Sequence, residues 1–106
     1  MSKLLNGRKR RPTHPGAILR EDVLPATGLT QGEFARSLGV SRRTVNEILQ
    51  ERRPVTTDMA HRLARALGTS PEVWLHLQQD VDIWDALDAN KREYERIKRL
   101  PVERAA

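Results

Sequence analysis

The stretch LTQGEFARSLGVSRRTVNEILQERRP, Leu29–Pro54, decides the fold. Thr30 followed by Glu33 forms a T-x-x-E capping box, which predicts the start of a first short helix. Gly39 suits the left-handed end of that helix, and Ser41 is a good cap for a second one. Two helices joined by a turn of about three residues with a glycine are typical of a helix-turn-helix.

The second helix of this motif has one apolar face. Successive residues are separated by about 100°, so Val45, Ile48 and Leu49 point inward together. The opposite face and its flanks carry no apolar side chain, which favours a helix that enters the major groove of DNA. We predict that base contacts are made by Arg42, Arg43, Thr44, Asn46 and Glu47.

The side-chain types on that face match particular bases. Arg42 and Arg43 suit the O6 and N7 atoms of guanine, and Asn46 suits the N6 and N7 atoms of adenine. Glu47 lies four residues after Arg43, so it either orients that guanidinium or accepts from cytosine N4, and the pattern leaves both open. Contacts to DNA phosphates are predicted for a second set of residues, Thr30, Gln31, Ser41, Gln50, Arg52 and Arg53.

Composition agrees with a small helical DNA-binding domain. The chain has 106 residues, a net charge of +5, a pI near 10.4 and only 4% aromatic residues. Leucine, valine, isoleucine and alanine must therefore form the core, which favours an all-α fold in one domain with a polyanionic partner. The chain has no cysteine, no long apolar run and no signal-peptide pattern, so we expect a cytoplasmic protein without membrane contact.

Nothing in the sequence indicates an enzyme. The three histidines, His14, His61 and His76, are scattered, and neither a metal-binding H-E-x-x-H motif nor a glycine-rich phosphate loop is present. We therefore expect no catalytic residues, no metal, no cofactor and no small-molecule substrate.

Five helices and two terminal segments are predicted. Residues 1–13 form a flexible basic arm, which is either a solvated tail or a contact to DNA or protein. His14 caps a first helix, which has Pro15 at its first position and ends at about Val23, before Pro25 and a loop over residues 25–28. The two motif helices follow. Residues 50–55 come after the second one, which Pro54 brings to an end, and they place Arg52 and Arg53 just beyond it.

The fourth helix begins at Thr56 or Thr57 and ends at Gly68, and Ser70 and Pro71 begin the fifth. The unit over residues 14–90 is thus a DNA-binding domain with a dimerisation helix. The segment 91–106 is a basic tail, helical in part, with a weak helical pattern that continues to Pro101.

The fifth helix and the tail after it are the best candidates for a dimer contact. A helix-turn-helix offers few base contacts alone, and such proteins bind palindromic half-sites as two-fold dimers. We predict that the dimer contact uses Trp74, Val81, Trp84 and Leu87. Core packing competes with this role at Trp74.

Residues 69–90 have a net charge of −5, so the same region is either a docking face or a solvated surface.

Three segments together resemble the HigA antitoxins, which belong to the Xre or phage-repressor class of helix-turn-helix proteins. They are THPGAILREDVLP at the first helix, LTQGEFARSLGVSRRTVNEILQERRPVT at the motif, and TSPEVWLHLQQDVDIWDA at the fifth helix. The resemblance covers residues 14–89 and implies a five-helix phage-repressor-like domain with a C-terminal helical extension.

The resemblance also implies a function. HigA antitoxins are homodimers that repress their own operon and neutralise a RelE-like mRNA interferase toxin, HigB. Such toxins tend to be basic, so the acidic fifth helix, the first helix and the arm are alternative docking sites. A stand-alone or phage-type Xre repressor without a toxin partner is the alternative, because the same DNA-binding residues would serve it.

Overall fold

The structure, a computed structural model, describes residues 10–102. Its regular structure is helical, without strands in that range. Helix α1 has three consecutive turns, Pro15–Ile18, Leu19–Val23 and Leu24–Thr27, and the others are α2 (Gln31–Leu38), α3 (Arg42–Leu49), α4 (Thr57–Leu67) and α5 (Pro71–Glu95). The prediction of an all-α, five-helix fold is confirmed. Within residues 10–102, no helix is long and apolar enough to cross a membrane. Positions 1–9 and 103–106, which belong to the predicted arm and tail, lie outside the described residues.

Helix α1 continues past the point where the sequence predicted its end. Its cap is as predicted, because the His14 side chain accepts a hydrogen bond from the backbone N–H of Gly16. The expected stop before Pro25 is wrong, and so is the loop over residues 25–28. A π-helical turn over Leu19–Val23 widens the helix just where the proline ring would meet the preceding carbonyls. The helix ends instead at Gly28, which has a φ of 70°.

The predicted turn between α2 and α3 is confirmed by its hydrogen bonds. The Thr30 N–H donates to Glu33 Oε1 at 2.9 Å, and the Glu33 N–H donates back to Thr30 Oγ1 at 3.1 Å, which completes the capping box. Gly39 has a φ of 73°, and the Ser41 side chain caps α3 by accepting from the Thr44 N–H. Local side-chain chemistry therefore fixes where both motif helices begin.

The end of α3 agrees with the prediction. The helix stops at Leu49, so Arg52 and Arg53 lie just beyond it in the segment 50–55. Glu51 has a φ of 62°, and the N–H groups of Glu51 and Arg52 donate back to the carbonyls of Ile48 and Glu47. This is a Schellman motif in which glutamate occupies the left-handed position that glycine usually takes.

The core lies between all five helices. Leu19 from α1, the inward faces of α2, α3 and α4, and Trp74 from α5 all contribute to it. The buried cluster consists of Leu19, Phe34, Ala35, Leu38, Val45, Ile48, Leu49, Val55, Met59, Ala60, Leu63 and Trp74. The apolar face predicted for α3 is therefore confirmed as a core face.

Helix α5 begins as predicted and ends earlier than predicted. The Ser70 hydroxyl caps it and Pro71 is its first residue. The backbone departs from helical geometry at Asn90, which has a φ of −127°, and the helix stops at Glu95 rather than continuing to Pro101. From Leu87 onward every described side chain is exposed. The weak apolar pattern of this segment therefore has no packing partner within the chain to extend the helix.

Candidate nucleic-acid interface

The outward face of α3 is polar and exposed. Its inward residues, Val45, Ile48 and Leu49, are each 3% exposed or less. On the other side the Arg43 side chain is 85% exposed, and Arg42, Asn46 and Gln50 are exposed as well. Thr44 and Glu47 are half-buried on the flanks, and the Thr44 hydroxyl lies 2.9 Å from Ser41 Oγ.

A hydrogen bond joins this face to the first motif helix. Asn46 Nδ2 donates to Gln31 Oε1 at 3.1 Å. Gln31 is the first residue of α2, where backbone N–H groups point away from the helix and attract anions. One residue proposed to contact bases therefore lies beside one proposed to contact phosphate.

A second cluster surrounds Glu47. Its Oε2 accepts from Arg43 Nε at 3.0 Å, and its Oε1 accepts from Arg53 Nε at 2.9 Å and Arg53 Nη2 at 2.6 Å. Hydrogen bonds from Arg53 and then Arg43 lower the pKa of Glu47, so the carboxylate is charged near neutrality. The bond to Arg43 is one of the two alternatives that the sequence left open for Glu47. The sequence did not predict the bonds from Arg53. The turn after α3 brings this side chain back beside Glu47.

The remaining residues proposed to contact phosphates surround the same face. Thr30 and Ser41 already accept hydrogen bonds from backbone N–H groups as caps, so each has a structural role whatever it contacts in a complex. Gln50 and Arg52 are exposed at the C-terminal end of α3. The face thus combines helix N-termini with several guanidinium groups, an arrangement suited to the phosphate backbone of a duplex.

Residues that the sequence did not single out hold α3 in place. Arg20 of α1 donates from Nη1 to the Leu49 carbonyl at 2.6 Å and to Glu51 Oε2 at 3.3 Å. A cation there compensates the negative end of the helix dipole. Arg11 bridges Glu51 and Asp85 of α5, at 3.4 and 2.8 Å. The residues joined by these contacts are at least 29 positions apart in the sequence, so no local sequence pattern predicts the contacts.

The acidic stretch of α5 is partly occupied by contacts within the chain. Asp85 accepts two hydrogen bonds from Arg11, at 2.8 and 2.9 Å, and these lower its pKa. Asp82 accepts from Gln78 Nε2, and Gln78 in turn holds the Val55 N–H, both at 2.9 Å. Two of the carboxylates considered for partner docking therefore have structural partners.

The four residues proposed for the dimer contact divide into two groups. Trp74 and Val81 are 3% and 1% exposed, so they are core residues of the chain itself and offer no surface to a second copy. Trp84 is half-buried and Leu87 is 39% exposed. The proposed contact is therefore corrected to Trp84 and Leu87, with Ile83, 41% exposed, beside them.

Across residues 10–102 no cluster of histidine and acidic side chains could hold a metal ion. The site that these residues build is a surface made of one helix face and two helix N-termini.

The chain is similar to known helix-turn-helix proteins. The family model for the helix-turn-helix matches residues 19–74. Antitoxin HigA-1 of Vibrio cholerae is 37% identical over 94 residues, which cover 89% of each chain. Among solved structures, antitoxin GraA in complex with its operator is 43% identical, with a TM-score of 0.81, 90% of this chain covered and 97% of that one. Pseudomonas aeruginosa antitoxin HigA with the higBA promoter is 38% identical, with a TM-score of 0.80 and coverage of 87% and 100%.

Proposed function

Since this chain belongs to the helix-turn-helix family that includes the HigA antitoxins, we propose that it is the antitoxin of a type II toxin–antitoxin module. In this proposal it binds operator DNA as a homodimer, represses its own operon and neutralises a HigB-like, RelE-type mRNA interferase in the cytoplasm. Two relatives of similar length are antitoxins in solved structures with an operator or a promoter, which supports the DNA-binding part.

The single observation that carries DNA binding is the outward face of α3. Arg42, Arg43 and Asn46 project from it without an apolar neighbour, while the opposite face of the helix is anchored in the core. In the proposed complex α3 lies in the major groove, the arginines approach guanine and Asn46 approaches adenine. Thr44 lies on the flank of this face and is the weakest candidate, because its hydroxyl lies within hydrogen-bonding distance of Ser41 Oγ.

The phosphate contacts would fix the register of α3 in the groove. Gln31 and the N–H groups at the start of α2 would face one strand of the DNA backbone. Gln50, Arg52 and Arg53 lie at the far end of α3, where they would meet phosphates farther along the groove. Thr30 and Ser41 would contribute through the helix ends that they cap. Such contacts supply affinity and salt dependence without reading sequence.

The proposed dimer places two copies of α3 about one helical turn of DNA apart, roughly 34 Å. Trp84, Leu87 and Ile83 on α5 form the apolar surface proposed to join the copies. Tryptophan is enriched among the residues that dominate interface energetics, which supports Trp84 as the central contact.

A binding experiment with the chain's own promoter tests the DNA-binding part. Arg43→Ala should relax specificity at one base pair in each half-site, by roughly 1–3 kcal/mol. Arg53→Ala should weaken all sequences alike and reduce the salt slope by about 1. Arg92→Ala is the matched control, because it removes the same charge from the far end of α5. Binding that is indifferent to both Arg43→Ala and Arg53→Ala would refute the placement of α3 in the groove.

A second experiment tests the antitoxin part. The product of the neighbouring reading frame is expressed alone and together with this chain, and cell growth and co-purification are measured. We expect growth arrest by the neighbour alone, rescue by this chain and a stable complex. A neighbour that neither arrests growth nor co-purifies would favour a repressor without a toxin partner.

A further inference from the structure

The charge arrangement around Glu47 goes beyond a list of DNA contacts. One carboxylate connects an arginine within α3 to an arginine beyond its end. The Glu47 side chain is 25% exposed, whereas that of Arg43 is 85% exposed, so Glu47 lies beneath the arginine that would meet the bases. A cytosine amino group would have to pass Arg43 to reach it.

We propose that Glu47 is a specificity-determining positioning residue, which presents Arg43 to one base and suppresses binding to DNA of other sequences. This inference rests on the proposed function, because it assumes that α3 binds DNA. It chooses between the two roles that the sequence left open for Glu47, and it adds Arg53 to the same unit.

The first step of the argument concerns geometry. Glu47 engages Arg43 through Nε, which leaves both Nη atoms of that guanidinium without a partner among the described residues. A guanine offers O6 and N7 to two such donors side by side. Glu47 therefore fixes the direction of the side chain without occupying the atoms that would contact the base. Because Glu47 already restrains the Arg43 side chain, less rotamer freedom is lost when Arg43 binds a base.

The second step concerns charge. Binding to DNA of any sequence depends almost entirely on the attraction between cationic side chains and phosphates. Glu47 places one negative charge between the positive charges of Arg43 and Arg53, so this cluster has a net charge of +1 rather than +2. A phosphate that approaches Arg53 must compete with a carboxylate bonded at 2.9 and 2.6 Å.

The two steps act differently on the two kinds of DNA. At the operator, Arg43 can bind its base while keeping the bond to Glu47, so the carboxylate does not oppose this contact. At other sequences Arg43 meets no base with matching acceptors. Binding there depends only on the attraction for phosphate, which Glu47 reduces. A repulsive element of this kind widens the gap between correct and incorrect partners.

The test compares wild type with Glu47→Gln on an operator duplex, on operators altered at each base pair, and on an unrelated duplex of the same length. We expect Glu47→Gln to bind the unrelated duplex about fivefold to tenfold more tightly near 0.15 M salt, with a salt slope steeper by about 1. Discrimination at the base pair read by Arg43 should fall several-fold. Glu95→Gln, which makes the same charge change at the end of α5, should leave all three quantities unchanged.

A double variant distinguishes an effect of the contact between Glu47 and Arg53 from an effect of net charge alone. If Glu47 acts in part by restraining Arg53, the gain of Glu47→Gln on the unrelated duplex should be smaller when Arg53→Ala is added. Circular dichroism of each variant verifies that α3 is still folded, so that an affinity change is not loss of structure.

Three results would overturn the proposal. One is an equal effect of Glu47→Gln and Glu95→Gln. Another is a loss of operator binding by Glu47→Gln confined to one C·G pair, with the unrelated duplex unchanged, since that pattern would make Glu47 a base-contacting residue. The third is a wild-type chain that binds no duplex, which refutes the proposed function itself and is recognised because it occurs before any substitution.

Discussion

Gly16 is the position where α1 meets the backbone of α3, and it supports a sharp prediction. A Cβ atom built on Gly16 would lie 1.9 Å from the carbonyl oxygen of Ile48 and 2.9 Å from its carbonyl carbon. Carbon and oxygen atoms in close protein contacts stay at about 3.3 Å or more. In Gly16→Ala the backbones of α1 and α3 must therefore move apart by about 1.4 Å. Both obstructing atoms belong to the backbone, so no side-chain rotation can relieve the clash.

The expected cost follows from that separation. Overpacked substitutions in a core typically cost about 1–3 kcal/mol, and a backbone obstruction places this one near the upper end. Domains of this size lose roughly 4–8 °C of Tm for each kcal/mol. We therefore expect Gly16→Ala to lower Tm by about 10–20 °C, measured by circular dichroism at 222 nm.

Gly32→Ala is the matched control. Gly32, like Gly16, is the second residue after a helix cap, but the nearest atoms to its Cβ would lie at 3.9 and 4.0 Å. Alanine is the better helix former, by at most about 1 kcal/mol, so Gly32→Ala should keep or raise Tm. A Gly16→Ala protein that melts at or above the wild-type temperature would refute the close approach of α1 to α3.

Three further predictions concern Glu51, His14 and Trp84. Glu51→Gly should be about 1 kcal/mol more stable to urea than Glu51→Ala, because both lose the carboxylate and only glycine relieves the left-handed backbone; equal stabilities would contradict this. Burial lowers the pKa of His14, so the unfolded chain protonates first and stability should fall as the pH drops through 6.5. Urea titrations at pH 7.5 and 5.5 should show a smaller difference for His14→Asn, which keeps a capping side chain; an equal loss would assign the pH dependence elsewhere. Trp84→Ala should give monomers in light scattering, and a persistent dimer would place the contact elsewhere.

The parts of the fold that the sequence predicted are those decided within a few residues. The caps at Thr30, Ser41 and Ser70 each accept a hydrogen bond from an N–H three residues later, so residue type and spacing were sufficient to locate them. The apolar faces were predictable for the same reason, since a helical repeat is visible within two turns. The polar face of α3 needed no further information.

The parts that the sequence missed depend on partners far along the chain or on unusual backbone. Arg53 reaches Glu47 only because the chain reverses at Glu51, a residue type that does not announce a left-handed conformation. Pro25 predicted a helix end, yet the π turn before it let the helix continue, and packing of Leu19 and Leu24 on the core favours that outcome. Trp74 and Trp84 have the same residue type in one helix, and only tertiary packing distinguishes the core residue from the half-exposed one.

The contacts of α1 imply that a substitution at Gly16 changes stability and DNA binding together, whereas a substitution at Arg43 changes DNA binding alone. Gly16 packs on the Ile48 carbonyl and Arg20 donates to the Leu49 carbonyl, so α1 holds two consecutive backbone groups of α3. Displacing α1 must therefore move the proposed DNA-binding face, and Gly16→Ala should lose operator affinity even well below its Tm. Arg43→Ala removes only an exposed side chain, so it should lose affinity at an unchanged Tm. If Gly16→Ala kept full operator affinity while its Tm fell, α3 would not take its orientation from α1.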